Sequence, residues 1–217
     1  MAFKISIISV FALLTVALIK LKGFRVSSRG RGVIKMLTAA LFVATVIYGC
    51  LQHKGKYDFV LVIGLCFAFL GDLFLVFMDK RALFIAGVLS FAAASSTIFC
   101  YAVLEYGFNY WALLPLLILI VANIVCQAVR LYSYGSSIVY LNIYTLCVSL
   151  CGSLGLVLLC TANSTAMILF GLGCFMYLLS DICLGLYLYK FKSRIIDMVN
   201  TLLYFPGMLL IALSLIF

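Results

Sequence analysis

The sequence predicts an all-α, polytopic membrane helix bundle, and three observations carry that prediction. The 217 residues are 67% hydrophobic and only 10% charged, whereas soluble domains are about 45–50% apolar and about 25% charged. The apolar residues gather into long runs, near the roughly 20 residues a helix needs to cross a bilayer. The basic residues lie mostly between the runs, so the net charge of +9 reads as topology signal and contact to anionic headgroups. It does not point to nucleic acid.

Eight runs follow in order, at 5–19, 33–51, 59–78, 82–104, 110–129, 137–160, 165–189 and 195–217, within a single transmembrane domain, 1–217. The first is short and framed by Lys4 and Lys20. A basic start and an apolar core fit a signal peptide. However, Lys20-Leu21-Lys22 follows instead of a small-residue cleavage site, so a retained helix with snorkelling lysines is expected. The connecting loops are too short for a soluble domain. Pro115 and Pro206 both fall inside runs, where helix irregularity is tolerated in membranes. Nine cysteines lie almost wholly inside the runs, without a C-x-x-C, and the single histidine, His53, is in a polar loop. That pattern reads as packing thiols; no metal and no other cofactor is expected.

Charge sets the expected orientation. With eight spans, Lys4, Lys54 and Lys56 fall on the side of both termini, and the other twelve bases, Arg25, Lys35 and Arg130 among them, fall opposite. This bias places the termini away from the cytosol.

Two carboxylates interrupt the apolar runs. Asp72 lies in LCFAFLGDLFLVF (65–77) and Asp181 in YLLSDICLGLYLY (177–189). An acid at membrane depth costs about 2.5–3.5 kcal/mol on insertion scales and usually has a partner or a task. Asp72 sits roughly 9 Å and Asp181 roughly 12 Å from the cytosolic ends of their spans, at 1.5 Å per residue. Lys35, Asn123, Gln127, Asn142, Tyr144, Asn200 and Tyr204 fall in the same layer. This convergence predicts a cytosol-facing polar cavity between helices. For the amides, interhelical hydrogen bonding is the default role, at about 0.6 kcal/mol on average. The segments 69–75 and 178–184 also align around their acids, half a chain apart, which gives a 4+4 internal repeat as an expectation.

With these residues in view, the chain resembles the lysoplasmalogenase, or YhhN-like, family of membrane proteins. The resemblance rests on Gly64-Leu65 leading to Leu70-Gly71-Asp72, on Leu179-Ser180-Asp181, on Lys35 and on Tyr204. It covers essentially the whole chain. It implies hydrolysis of the vinyl ether bond of choline or ethanolamine lysoplasmalogens to a fatty aldehyde and the glycerophospho headgroup. It further implies Asp72 and Asp181 as catalytic acids, with Lys35 and Tyr204 as supporting polar groups, and the endoplasmic reticulum as location. The partners expected are a lysophospholipid substrate and membrane lipids, with no nucleic acid; the oligomeric state stays open. Two positions depart from the family pattern. Its usual histidine on the fourth span is absent from Phe91–Thr97, and Met208 stands where a glutamine is usual.

A vinyl ether hydrolyses by protonation on carbon, giving an oxocarbenium ion that water captures. One aspartic acid as proton donor and one carboxylate facing the cation suit that route, as two carboxyls do in glycoside hydrolysis. Lys35 and Arg130 are expected at the phosphate. Three rivals compete. An intramembrane aspartyl protease needs Gly where Phe69 stands. A proton-coupled transporter also uses paired acids, yet neither acid-bearing span contains proline. A non-catalytic lipid-binding relative is motivated by the two departures.

Overall fold

A computed structural model describes residues 2–23, 28–77, 79–129 and 138–217. The apolar runs fold as helices: α1 (Ala2–Gly23), α2 (Ser28–His53), α3 (Asp58–Val76), α4 (Arg81–Tyr106), α5 (Leu113–Ala128), α6 (Ile138–Cys160), α7 (Thr165–Leu186) and α8 (Arg194–Leu213). A 3₁₀ turn (Tyr110–Ala112) leads into α5, and a π-helical turn (Tyr187–Phe191) continues α7. No strand occurs among the described residues. Seven helices, α2 to α8, are long and apolar enough to cross a membrane; α1 carries a shorter apolar stretch, Ser9–Lys20. Arg25 and Arg130, two of the bases used above for orientation, lie outside the described residues.

Local chemistry marks the helix ends. Asp58 opens α3, accepting from the Gly55 amide at 2.7 Å and facing His53 Nδ1 at 3.0 Å. Ser164 caps α7 by accepting from the Met167 amide. Gly107 ends α4 at φ 81, a conformation glycine adopts without a Cβ penalty.

The helices close into a ring. Neighbours run α1–α2–α3–α4–α6–α7–α8 and back to α1, while α5 leans on the outside of α6. Close backbone approach tightens the ring. A Cβ at Gly173 would stand 2.7 Å from the Gly207 carbonyl oxygen and 2.9 Å from the Ile211 amide nitrogen, so α7 and α8 touch along their backbones. Small residues at such crossings are how membrane helices gain packing without a hydrophobic driving force. Tyr101, Tyr177, Phe42, Phe170 and Met208 fill the interior. The outer surface shows Leu13, Leu117, Ile118 and Ile195, as a bilayer-facing surface requires. None of α5 is buried.

Hydroxyls inside the bundle are mostly satisfied by their own helix. Thr38, Thr45, Thr97 and Thr145 each donate to the carbonyl four residues back, which silences a polar side chain within a single helix. The acids, tyrosines and amides at one end of the ring instead reach between helices.

Candidate active site

A cavity of about 490 Å³ opens at the end of the ring where α2, α6 and α8 begin and α1, α3 and α7 finish. It lies within the usual 300–1,000 Å³ of small-molecule sites. The alternation of helix direction brings residues from opposite ends of the sequence into one layer.

Asp72, on α3, is 2% exposed. Its Oδ1 stands 2.9 Å from Lys35 Nζ on α2, and its Oδ2 accepts from the Tyr204 hydroxyl on α8 at 2.7 Å. Both oxygens therefore have the kind of partner a carboxylate takes. Asp181, on α7, is served differently. Its Oδ1 accepts from the Tyr144 hydroxyl on α6 at 2.6 Å. Its Oδ2 is buried and has no hydrogen-bond partner among the described residues. Both acids line the same cavity.

Aromatic rings hold the two tyrosines. Tyr204 meets Phe91 edge-on at 5.9 Å and Phe205 at 4.9 Å. Phe91 also lies 6.4 Å from Tyr144, so one phenylalanine of α4 braces both hydroxyl donors. These contacts limit the rings' freedom to swing away from their acids.

Of the residues singled out in the sequence, Lys35, Asp72, Asn123, Asp181, Asn200 and Tyr204 line the cavity. Asn200 ties α8 to α7 by donating to the Ser180 carbonyl at 2.8 Å, next to Asp181. Gln127 and Asn142 are not lining residues. Gln127 and Asn123 of α5 both donate to the Asn142 side-chain oxygen on α6, at 2.8 and 3.2 Å. That pair of bonds crosses between helices and tethers the otherwise unburied α5. Arg130 lies outside the described residues.

The geometry adds residues that sequence reasoning did not assign to a site. Tyr144 is the partner of Asp181, Phe91 the brace, and Lys22, Arg31 and Asp197 face the cavity mouth. Tyr144 was visible as a polar residue of the right layer, and Arg31 stands four residues before Lys35, on one helical face. Lys22 and Arg31 read only as topology signals until the ring placed them. Within Phe91–Thr97, Ser95 is buried against the Tyr177 hydroxyl at 3.0 Å, and Met208 is fully buried.

Fold and site together define a class. This is a helical bundle with the helices of a multi-pass membrane protein, with two interior carboxylates facing one amphipathic cavity. The model of the YhhN family matches residues 30–215, and the chain belongs to that family, which includes lysoplasmalogenases. Neither the curated proteins nor the solved structures contain a match.

Proposed function

We propose that the protein is a membrane hydrolase that cleaves the vinyl ether bond of lysoplasmalogens, releasing a fatty aldehyde and the glycerophospho headgroup. One observation carries the reading within the family: two carboxyl groups share a cavity but have unequal partners. Asp72 has a cation and a hydrogen-bond donor on its two oxygens. Asp181 has one donor and a bare buried oxygen. A protonated carboxyl oxygen needs no donor and has a proton to give. Asp181 is therefore the acid and Asp72 the carboxylate.

In this mechanism Asp181 transfers its proton to the β-carbon of the vinyl ether. The adjacent carbon becomes an oxocarbenium ion, with the charge shared by the ether oxygen. Asp72 stabilises that charge and takes a proton as water adds to the cationic carbon. The hemiacetal then collapses to the aldehyde and the free glycerol hydroxyl. The proton taken up by Asp72 returns to Asp181 before the next turnover, so the cycle consumes only water. Lys35 and Tyr204 hold Asp72 in place, and Tyr144 aims Asp181. The apolar walls at Leu178, Ile182 and Val148 accommodate the alkenyl chain.

The topology that accompanies this reading has eight spans, with termini on the non-cytosolic side of the endoplasmic reticulum and the cavity open to the cytosol. The lipid then enters from the cytosolic leaflet. The aligned acid-bearing segments are part of the same proposal as a 4+4 repeat.

The test is aldehyde release from a lysoplasmalogen by purified protein in nanodiscs, with Asp72→Asn and Asp181→Asn alongside at matched folding. Release by the wild type and its loss in both variants supports the hydrolase and its pair of acids. Release that survives either substitution removes the mechanism. A second reading, a non-catalytic lipid-binding relative, is favoured by the absence of a histidine from Phe91–Thr97 and by Met208, and is what an inactive, well-folded wild type indicates.

A further inference from the structure

We infer that Arg31, with Lys22 and Lys35, forms a phosphate-binding subsite at the cavity mouth, Arg31 lying one helical turn before Lys35, the partner of Asp72. Its ligand is the phosphodiester of a single-tailed glycerophospholipid. Three cations, Lys22 on α1 and Arg31 and Lys35 on α2, line the same cavity. Like charges gathered at one opening repel, and an anion between them relieves the repulsion.

Two of the three have carboxylate partners. Lys22 pairs with Asp197 of α8 at 2.5 Å, and Lys35 pairs with Asp72 at 2.9 Å. Arg31 has no ion pair among the described residues and its side chain is exposed at the mouth. A planar guanidinium suits two phosphate oxygens at once. Asp197 beside Lys22 presents a carboxylate to a cationic headgroup, so phosphate and ammonium meet opposite charges within one mouth.

The rest of the cavity points to the kind of phosphate. Arg31 and Lys35 share one face of α2 and are separated by about 6 Å along the axis, at 1.5 Å per residue. Lys35 marks the level of Asp72. Beyond the acids, the cavity wall is apolar at Val148, Leu178 and Ile182, which suits a single hydrocarbon tail. A free phosphate uses only the mouth; a glycerophospholipid uses mouth and wall together. This inference rests on the hydrolase reading for the ether end of the ligand, and on the cavity alone for its phosphate and tail.

The test uses the full chain in nanodiscs of neutral lipid and measures binding, not turnover. The probes are a saturated-ether lysophospholipid, which has no vinyl ether to cleave, the matching alkylglycerol without phosphate, and inorganic phosphate. The wild type is expected to prefer the lysophospholipid over the alkylglycerol by about tenfold or more, as a charge-assisted contact gives. Arg31→Gln is expected to erase most of that preference and Arg31→Lys to keep part of it. Lys22→Gln serves as a second probe of the same mouth. A preference unchanged in both Gln variants overturns the subsite. Tight binding of inorganic phosphate with no preference for the tailed ligand assigns the mouth to free phosphate and overturns the lipid assignment. Lack of aldehyde release with the phosphate preference intact refutes the hydrolase and leaves the subsite standing.

Discussion

The Tyr204 hydroxyl donates to Asp72 Oδ2 at 2.7 Å, joining the last helix to the third across 132 residues of chain. No local pattern produces this bond. It exists because α8 returns to close the ring beside α1 and α2.

Removing that hydroxyl tests its share in the chemistry. Tyr204→Phe keeps the ring that packs on Phe91 and Phe205, so folding is expected to survive. A hydrogen bond to a charged group is worth about 1.5–3 kcal/mol, or roughly ten- to a hundredfold in kcat/KM. Aldehyde release at matched folding is the measurement; an unchanged rate removes Tyr204 from the mechanism.

The two acids differ in what their loss leaves behind. Asp72→Asn strands the Lys35 ammonium, whose side chain is only 26% exposed, and is expected to lower stability by a few kcal/mol, on the order of a broken buried pair. Asp181→Asn leaves Tyr144 an amide oxygen to donate to and is expected to cost about 1 kcal/mol or less. Thermal unfolding in detergent ranks the two. Adding Lys35→Met to Asp72→Asn is expected to restore part of the lost stability, and a double-mutant cycle reads the coupling. Equal melting shifts for the two single variants contradict the unequal partners.

Gly173 and Gly185 form a matched pair on α7. A Cβ at Gly173 meets the α8 backbone at 2.7–2.9 Å, whereas one at Gly185 meets nothing within 4 Å. Gly173→Ala is expected to force α7 from α8 and to cost about 1–3 kcal/mol or more. Gly185→Ala is expected to be neutral or to stabilise by up to about 1 kcal/mol through helix propensity. Heating followed by size-exclusion separates them; a Gly173→Ala protein as stable as the wild type disproves the close crossing.

The α5 tether gives a dynamic prediction. Asn142→Leu removes the acceptor of both α5 amides, and two such interhelical bonds sum to about 1 kcal/mol. Because nothing else on α5 is buried, hydrogen exchange along Leu113–Ala128 is expected to rise while α7 and α8 stay protected. Uniform protection in the variant shows that the tether holds nothing.

Much of the architecture was readable in one dimension. Hydrophobicity over about 20 residues decides which segments leave water, and a helix is the form that satisfies their backbone. The carboxylates stood out because Asp72 and Asp181 are conspicuous inside apolar runs. The same arithmetic of depth put Lys35, Asn200 and Tyr204 in their layer. It also put Gln127 and Asn142 there, and depth alone does not say whether a side chain faces a cavity or a neighbouring helix. The ring decided that, by turning those two toward each other between α5 and α6.

The sequence by itself determined the helical class, the runs that form the helices, and the presence of two interior acids. These follow from local composition and from charge along the chain. Only the tertiary structure decided that Lys35 and Tyr204 serve Asp72, that Tyr144 serves Asp181, and that Arg31 and Lys22 line one cavity. Pairing across distant segments depends on the order and rotation of helices around the ring. Contacts as close as Gly173 on Gly207 set that rotation, and no periodicity within a single helix records which neighbour it will face.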